Sequence, residues 1–241
     1  MQLSIVIPAH NEESTVAGVI TGHRDVARSL VSSFEIVVCD DGSTDATWAA
    51  LEASREACSE LRLARNPSRA GIPLTMKSLY ADAKGEWIYF APADGQVPAA
   101  ALKRMWEIRD GAALVVGRRI PRKDPASRIV IAQIYSTLLG WIFRLPVRDI
   151  DSVKLYRSDD LRAVQPRSRS NFFEAEILIT LCSRGRVVRE IDIPHRPRIA
   201  GHAKGVTPAN AMLALRDVLG FTVGWWFRRA VVVSPPPHLP R

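Results

Sequence analysis

Three polar clusters lie early in this chain, each closing an apolar run. Pro8, His10, Asn11 and Glu12 follow "LSIVI"; Asp40, Asp41 and Ser43 follow "FEIVVC"; Asp94 and Gln96 follow "EWIYFAPA". Carboxylates, an imidazole and an amide gathered in this way can hold a hard cation, accept hydrogen bonds from a ligand, or simply build turns. The third cluster, "YFAPADGQVP" (89–98), poses the sharpest chemical question. It carries one carboxylate, Asp94, with Pro92 two residues earlier where a second acid could have stood. Either that single aspartate holds a metal, or the stretch is only a turn.

The elements that must position these residues follow from periodicity. "LSIVIPA" (3–9) and "FEIVVCDD" (34–41) are β-branched runs closed by polar residues, the pattern of buried strands in a parallel sheet. Between them Val16, Val19, Ile20, Val26 and Leu30 recur at helical spacing, with Asn11 available as a cap. "GSTDATWAALEAS" opens a second helix; 61–65 and 86–92 read as strands, with a helix over 73–83 between them. Further apolar runs, 112–117 and 187–194, stand among helical stretches at 128–143 and 172–184. This alternation predicts a doubly wound α/β domain. In such a sheet ligands sit beyond the carboxyl ends of the strands, so the three clusters face one crevice. Neither GxGxxG nor GxxxxGK[ST] follows the first strand, which removes the warrant for dinucleotide and P-loop readings.

Composition narrows the partners. The 241 residues have a mean hydropathy near zero, and the apolar stretches 129–143 and 218–227 are shorter than the ~20 residues of a typical spanning helix. No signal peptide is evident, and three scattered cysteines suit a reducing compartment rather than a disulfide framework or zinc site. The net charge of +8 is unevenly placed: residues 1–116 hold 11 Lys/Arg against 15 Asp/Glu, residues 117–241 hold 22 against 10. The second half therefore faces something anionic. Arginine outnumbers lysine 27 to 6, and a guanidinium suits phosphate, although a G+C-rich genome would raise the same ratio. No nucleic-acid module with aromatic stacking positions is present, so nucleic acid is not an expected partner.

"SIVIPAHNEE", "IVVCDDGSTDAT" and "GEWIYFAPADGQVP" together resemble the successive signatures of family 2 glycosyltransferases of the GT-A fold, whose metal motif is usually DxD. "VVGRR", "RIVIAQIYS", "LPVRDIDSVKLYR" and "IPHRPRIAGHAKG" resemble the polyprenyl-phosphate (dolichol-phosphate) mannosyltransferase branch. The resemblance implies a Rossmann-like, mostly parallel central sheet flanked by helices, with C-terminal amphipathic helices. It divides the chain into a GT-A domain over 1–205 (nucleotide-sugar half 1–116, acceptor half 117–205), a helical segment over 206–233 suited to a membrane interface, and a disordered tail over 234–241.

By the same resemblance, Pro8, His10 and Glu12 border the nucleotide, and Asp40 and Asp41 contact base and ribose. Asp94 with Gln96 would hold Mg²⁺ or Mn²⁺, since Mg²⁺ often uses one or two carboxylates completed by substrate phosphates and water. Arg198 and Lys204 match a basic loop that closes over the diphosphate; the residues alone would also suit a solvated turn. Arg119 and Arg128 match positions that place an acceptor phosphate. A phosphate monoester, with a second pKa of ~6, needs positive charge more than it needs a base. Asp149 or Asp151 would serve as base if the acceptor were a hydroxyl. Trp141, Trp225 and Trp226 beside Arg144, Arg228 and Arg229 suit a headgroup interface, and equally suit core helices with arginine ends. The expected protein is an inverting glycosyltransferase on the cytoplasmic face of the cell membrane, peripherally attached, using a GDP-mannose or UDP-glucose type donor and a polyprenyl phosphate acceptor. The alternatives are a hydroxyl acceptor, or a non-catalytic nucleotide-sugar or membrane-surface binding protein.

Overall fold

The computed structural model describes residues 1–198 and 208–232, with side chains in the second stretch from 212 to 226. Lys204, the Arg228 and Arg229 side chains and the tail lie outside the described residues. Strands β1 (Leu3–Ala9), β2 (Phe34–Asp40), β3 (Leu61–Arg65) and β4 (Trp87–Phe90) alternate with helices α1 (Val16–Leu30), α2 (Thr47–Ala57) and α3 (Ile72–Asp82). Then come α4 (Ala100–Glu107), β5 (Leu114–Arg119), α5 (Ala126–Phe143), β6 (Lys154–Arg157), α6 (Ser158–Arg162), α7 (Phe172–Ser183), β7 (Val188–Ile193) and α8 (Pro208–Val232).

All seven strands form one sheet in the order β3-β2-β1-β4-β6-β5-β7. Its faces are read from the side-chain alternation of β1 and β2. Leu3, Ile5, Ile7, Ile36 and Val38 point to one layer, covered by α1, α2 and α4, while Val6 and Val37 point to the other, covered by α3, α5, α7 and α8. Both faces are dry, and each fully buried Ile or Val contributes about 1.5–3 kcal/mol, so strands this short hold. The chain order reverses between β1 and β4, which opens the crevice of the fold at their carboxyl ends.

Two local features depart from the periodicity. "KLYR" is a strand, β6, antiparallel to both β4 and β5. Its lysine disguises it: Lys154 is 1% exposed because its ammonium lies 3.2 Å from the Glu174 carboxylate and donates to the Ser152 carbonyl. Asn11 does not cap α1, which starts at Val16. With φ at 51° it turns the chain, and its side chain accepts from the Thr44 amide, tying the β1–α1 loop to the β2–α2 loop.

Helix α5 has a buried side of Ser136, Leu139 and Phe143 and an exposed stripe of Val130, Ile131, Ile134, Leu138 and Trp141. By length and composition this 18-residue helix could cross a membrane, beyond what the run 129–143 predicts, although its buried side is docked on the fold. Helix α8 meets it where Trp225 packs edge-on against Phe143, with ring centroids 5.0 Å apart. Its own exposed stripe is Met212, Leu215, Leu219, Val223 and Trp226.

Candidate active site

A cavity of about 250 Å³ opens at the carboxyl ends of β1 and β4. On one wall stand Pro8, His10, Glu12 and Asp41; Asp94 and Gln96 lie in the middle; Arg119, Arg128 and Asp151 form the far wall. These are most of the residues expected from sequence, brought together from six separate segments. Arg198 reaches the same cavity from beyond β7.

The first wall is stitched by short-range hydrogen bonds. The Asp41 amide donates to the Ala9 carbonyl (2.8 Å), and His10 Nδ1 donates to the Asp41 carbonyl (2.9 Å). Asn66 Nδ2 and the Ala70 amide donate to Asp41 Oδ1, and the Gly71 amide to Oδ2, all at 2.8 Å. Burial works to raise the Asp41 pKa, but these donors outweigh it and hold the carboxyl below its ordinary range. "NPSRAG" is therefore the strap that Asp41 holds down. Gly42 makes this possible: its φ is +66°, and a Cβ there would stand 2.6 Å from the Arg69 nitrogen.

Asp40 behaves differently from its neighbour. It is fully buried, accepts from the Ser43 amide at 3.0 Å, pairs with Arg65 at 3.1 Å, and does not line the cavity. Its place is behind the wall, shaping the turn, rather than against base or ribose.

The middle of the cavity answers the question posed by Pro92. Asp94 Oδ1 accepts from the Gln96 amide (3.0 Å), and Oδ2 takes the Arg198 guanidinium at 2.6 Å. Gln96 Nε2 donates to the Arg196 carbonyl at 3.4 Å. Among the described residues no group of three or more His, Cys, Asp or Glu could cage a metal. A cation here would find Asp94 and Gln96 on the protein and take its remaining ligands from water and, when present, a bound phosphate, with Arg198 already holding one Asp94 oxygen.

The far wall is a chain of ion pairs. Arg119 donates twice to Asp149 (2.7 and 2.8 Å) and once to the Asp151 carbonyl (2.8 Å). Burial opposes both charges, yet the pairing prevails: the Arg119 pKa is raised and the Asp149 pKa is lowered. Asp149, with both oxygens engaged, is no candidate for a base, whereas the exposed Asp151 side chain lines the cavity. Asp124 holds Arg122 at 2.6 Å and Arg128 at 3.5 Å, and Arg122 Nη2 is buried without a hydrogen-bond partner.

Four ionisable lining residues escape the sequence reading: Arg69, Asp124, Glu174 and His195. His195 Nδ1 accepts from the Lys123 amide, and burial and the Arg119 charge lower its pKa, so the neutral ring carries its proton on Nε2. Glu174 forms the floor, accepting from Tyr80 (2.6 Å) and Tyr156 (2.5 Å) beside Lys154. In "FFEAEILIT" it looks like a stray charge on a core helix; the one available signal is the lysine inside an apolar strand.

The family model for glycosyl transferase family 2 matches residues 4–167. The chain belongs to glycosyl transferase family 2. This glycosyltransferase is 27% identical over 207 residues to an uncharacterized glycosyltransferase of Mycobacterium tuberculosis, covering 84% of the chain and 88% of that relative. It is 28% identical over 211 residues to a dolichyl-phosphate hexose transferase of Haloferax volcanii, covering 84% and 86%. Its fold matches glucosyl-3-phosphoglycerate synthase of M. tuberculosis, solved with Mn²⁺, UDP and phosphoglyceric acid, with a TM-score of 0.73, 19% identity, and coverage of 92% and 78%. That enzyme has also been solved with Mg²⁺ and UDP. The GT-A architecture expected of the glycosyltransferase is thus the architecture found.

Proposed function

We propose that the protein transfers one sugar, with inversion, from a nucleotide sugar to a polyprenyl phosphate at the cytoplasmic face of the cell membrane. The observation that carries this reading is α5. Its first turn brings Arg128 to the cavity, and from there its exposed stripe runs to Trp141, which is 80% exposed. A lipid phosphate matches both ends of that helix: the headgroup meets arginines and the chain leaves along apolar surface. The similarity to a dolichyl-phosphate hexose transferase supports the same acceptor class.

The donor, of the GDP-mannose or UDP-glucose class, lies along the wall of Pro8, His10, Glu12 and Asp41, its diphosphate toward Asp94. A phosphate oxygen of the acceptor attacks the anomeric carbon from the side opposite the diphosphate; the new C–O bond forms as the bond to the diphosphate breaks, and the nucleoside diphosphate leaves. Arg119, Arg122 and Arg128 align the attacking phosphate and offset its repulsion from the donor. A divalent cation held by Asp94, Gln96 and the diphosphate would supply charge neutralisation on the leaving group. Arg198 and Lys204 serve the same diphosphate.

A second reading takes a small-molecule hydroxyl as acceptor with Asp151 as base; it draws support from the exposed carboxylate of Asp151 in the cavity and the phosphoglyceric acid bound by the structural neighbour. The test is transfer of radiolabelled sugar from GDP-mannose and UDP-glucose to a short polyprenyl phosphate with Mg²⁺, Mn²⁺ or EDTA. Labelled glycolipid is the expected product. Donor binding without glycolipid, or label on a soluble hydroxyl acceptor, would overturn the lipid assignment.

A further inference from the structure

Arg198 pairs with Asp94, the acid that the proposed function assigns to a divalent ion. Its Nη2 is 2.6 Å from Asp94 Oδ2 and its Nη1 3.5 Å from Glu12 Oε1, so one guanidinium bridges acids from the β1 and β4 loops. All three side chains are largely enclosed, with 21%, 15% and 13% exposure for Arg198, Asp94 and Glu12. The bridge is therefore not a surface pair of negligible weight.

The bridge is also built in rather than incidental. The Arg196 amide donates to the Gln96 carbonyl at 2.8 Å while Gln96 Nε2 donates back to the Arg196 carbonyl, so Arg198 is delivered by a segment clamped to the turn that bears Asp94. His195 fastens the same segment on its other side through the Lys123 amide. Gln96 thereby has a structural task besides that of cation ligand.

From this geometry we propose that Arg198 is a resident cation for Asp94 and competes with the divalent ion for it. The proposal rests on the donor reading above only in taking Asp94 to be the acid that meets a metal. With a second acid at position 92, a metal and an arginine could each have a carboxylate. Pro92 removes that option in the β4 turn, so both cations meet at Asp94, where Arg198 makes its shorter contact. Arg198 is a positioning residue in this scheme: it compensates the charge of Asp94, and its release makes Asp94 available.

The test is Mn²⁺ binding followed by the electron paramagnetic resonance signal of the free ion, with folding checked by thermal melts. Without nucleotide, Arg198→Gln is expected to tighten Mn²⁺ binding by roughly tenfold. Arg198→Lys, which keeps a charge, should stay close to the wild type, and adding Asp94→Asn to Arg198→Gln should abolish the gain. An unchanged or weakened Mn²⁺ affinity in folded Arg198→Gln would overturn the proposal, as would a gain that survives the loss of Asp94. Should Arg198→Gln melt early, Arg198→Met tests the same loss of charge in a side chain of similar reach. A parallel series with UDP or GDP addresses the donor reading separately: no effect of either nucleotide on Mn²⁺ affinity would count against that reading while a retained gain in Arg198→Gln upholds the competition.

Discussion

Asp41 and Asp149 are both buried carboxylates near the cavity, and they are held in opposite ways. Asp41 takes three hydrogen bonds from neutral amides of the adjacent strap, whereas Asp149 is gripped by the guanidinium of Arg119. Both pKa values fall below the ordinary range, but the electrostatic result differs. Amide donors stabilise a negative charge without cancelling it, so Asp41 stays anionic. An ion pair cancels the charge, so the far wall is close to balanced, and Arg128, 3.5 Å from Asp124 and a third exposed, is the guanidinium most open to an anion.

The largest effect should come from the charge at the junction of the walls. Asp94→Asn is expected to lower sugar transfer about a thousandfold in protein that still folds, since it removes the carboxylate that meets the donor's cation. Wild-type turnover in that variant would remove the chemical role from the donor wall. Next, Arg119→Ala leaves buried Asp149 with only the more distant Arg122, at 3.8 Å, and should cost about 3 kcal/mol in urea unfolding. Asn66→Ala, which removes one of three neutral donors to Asp41, should cost about 1 kcal/mol. Equal losses would erase the distinction between the walls.

Acid should separate the two halves as well. Burial holds the ring of His23 down to about 4, partly offset by its hydrogen bond to the Val19 carbonyl. The unfolded chain therefore binds more protons than the folded one below about pH 6.5, and stability falls on the order of 3 kcal/mol by pH 4. Asp41 and Asp149 have folded pKa values below their unfolded ones, so their contributions are present above the unfolded value and fade only at lower pH. Urea midpoints across pH 7 to 4 should drop in the wild type and flatten over that window in His23→Gln.

Gly42→Ala tests the strap directly. The left-handed φ and the close Arg69 nitrogen predict a loss of about 2 kcal/mol in urea unfolding together with weaker binding of UDP or GDP by calorimetry. The smallest effect on stability belongs to the apolar stripe. Ile134→Ser should leave it within about 0.5 kcal/mol yet reduce sedimentation with anionic vesicles; unchanged sedimentation would detach the acceptor wall from the membrane.

What the sequence determined by itself was whatever a stretch of ten or so residues can encode. Continuous β-branched apolar runs specify β1 and β2, and the polar residues that close them arrive at the crevice because parallel strands all end on one side. Pro8, His10, Glu12, Asp41 and Asp94 were legible for that reason, whereas Arg119 and Arg128 were named through the family resemblance. The tertiary structure alone decided which of these groups are spent on one another. Asp40 and Asp41 are neighbours in a turn, yet only the path of the strap turns one into the cavity and the other into the core. Asp149 and Asp151 are equivalent candidates on paper, and the 30-residue reach from Arg119 to Asp149 separates them. Lys154 hides a strand until Glu174 neutralises it, and Arg198 finds Asp94 across 104 residues of chain. Ion pairs and shared hydrogen bonds of this kind depend on distances between segments, which local propensity does not carry. Only the packed sheet, by fixing those distances, decides which charges are already satisfied and which are left for a ligand.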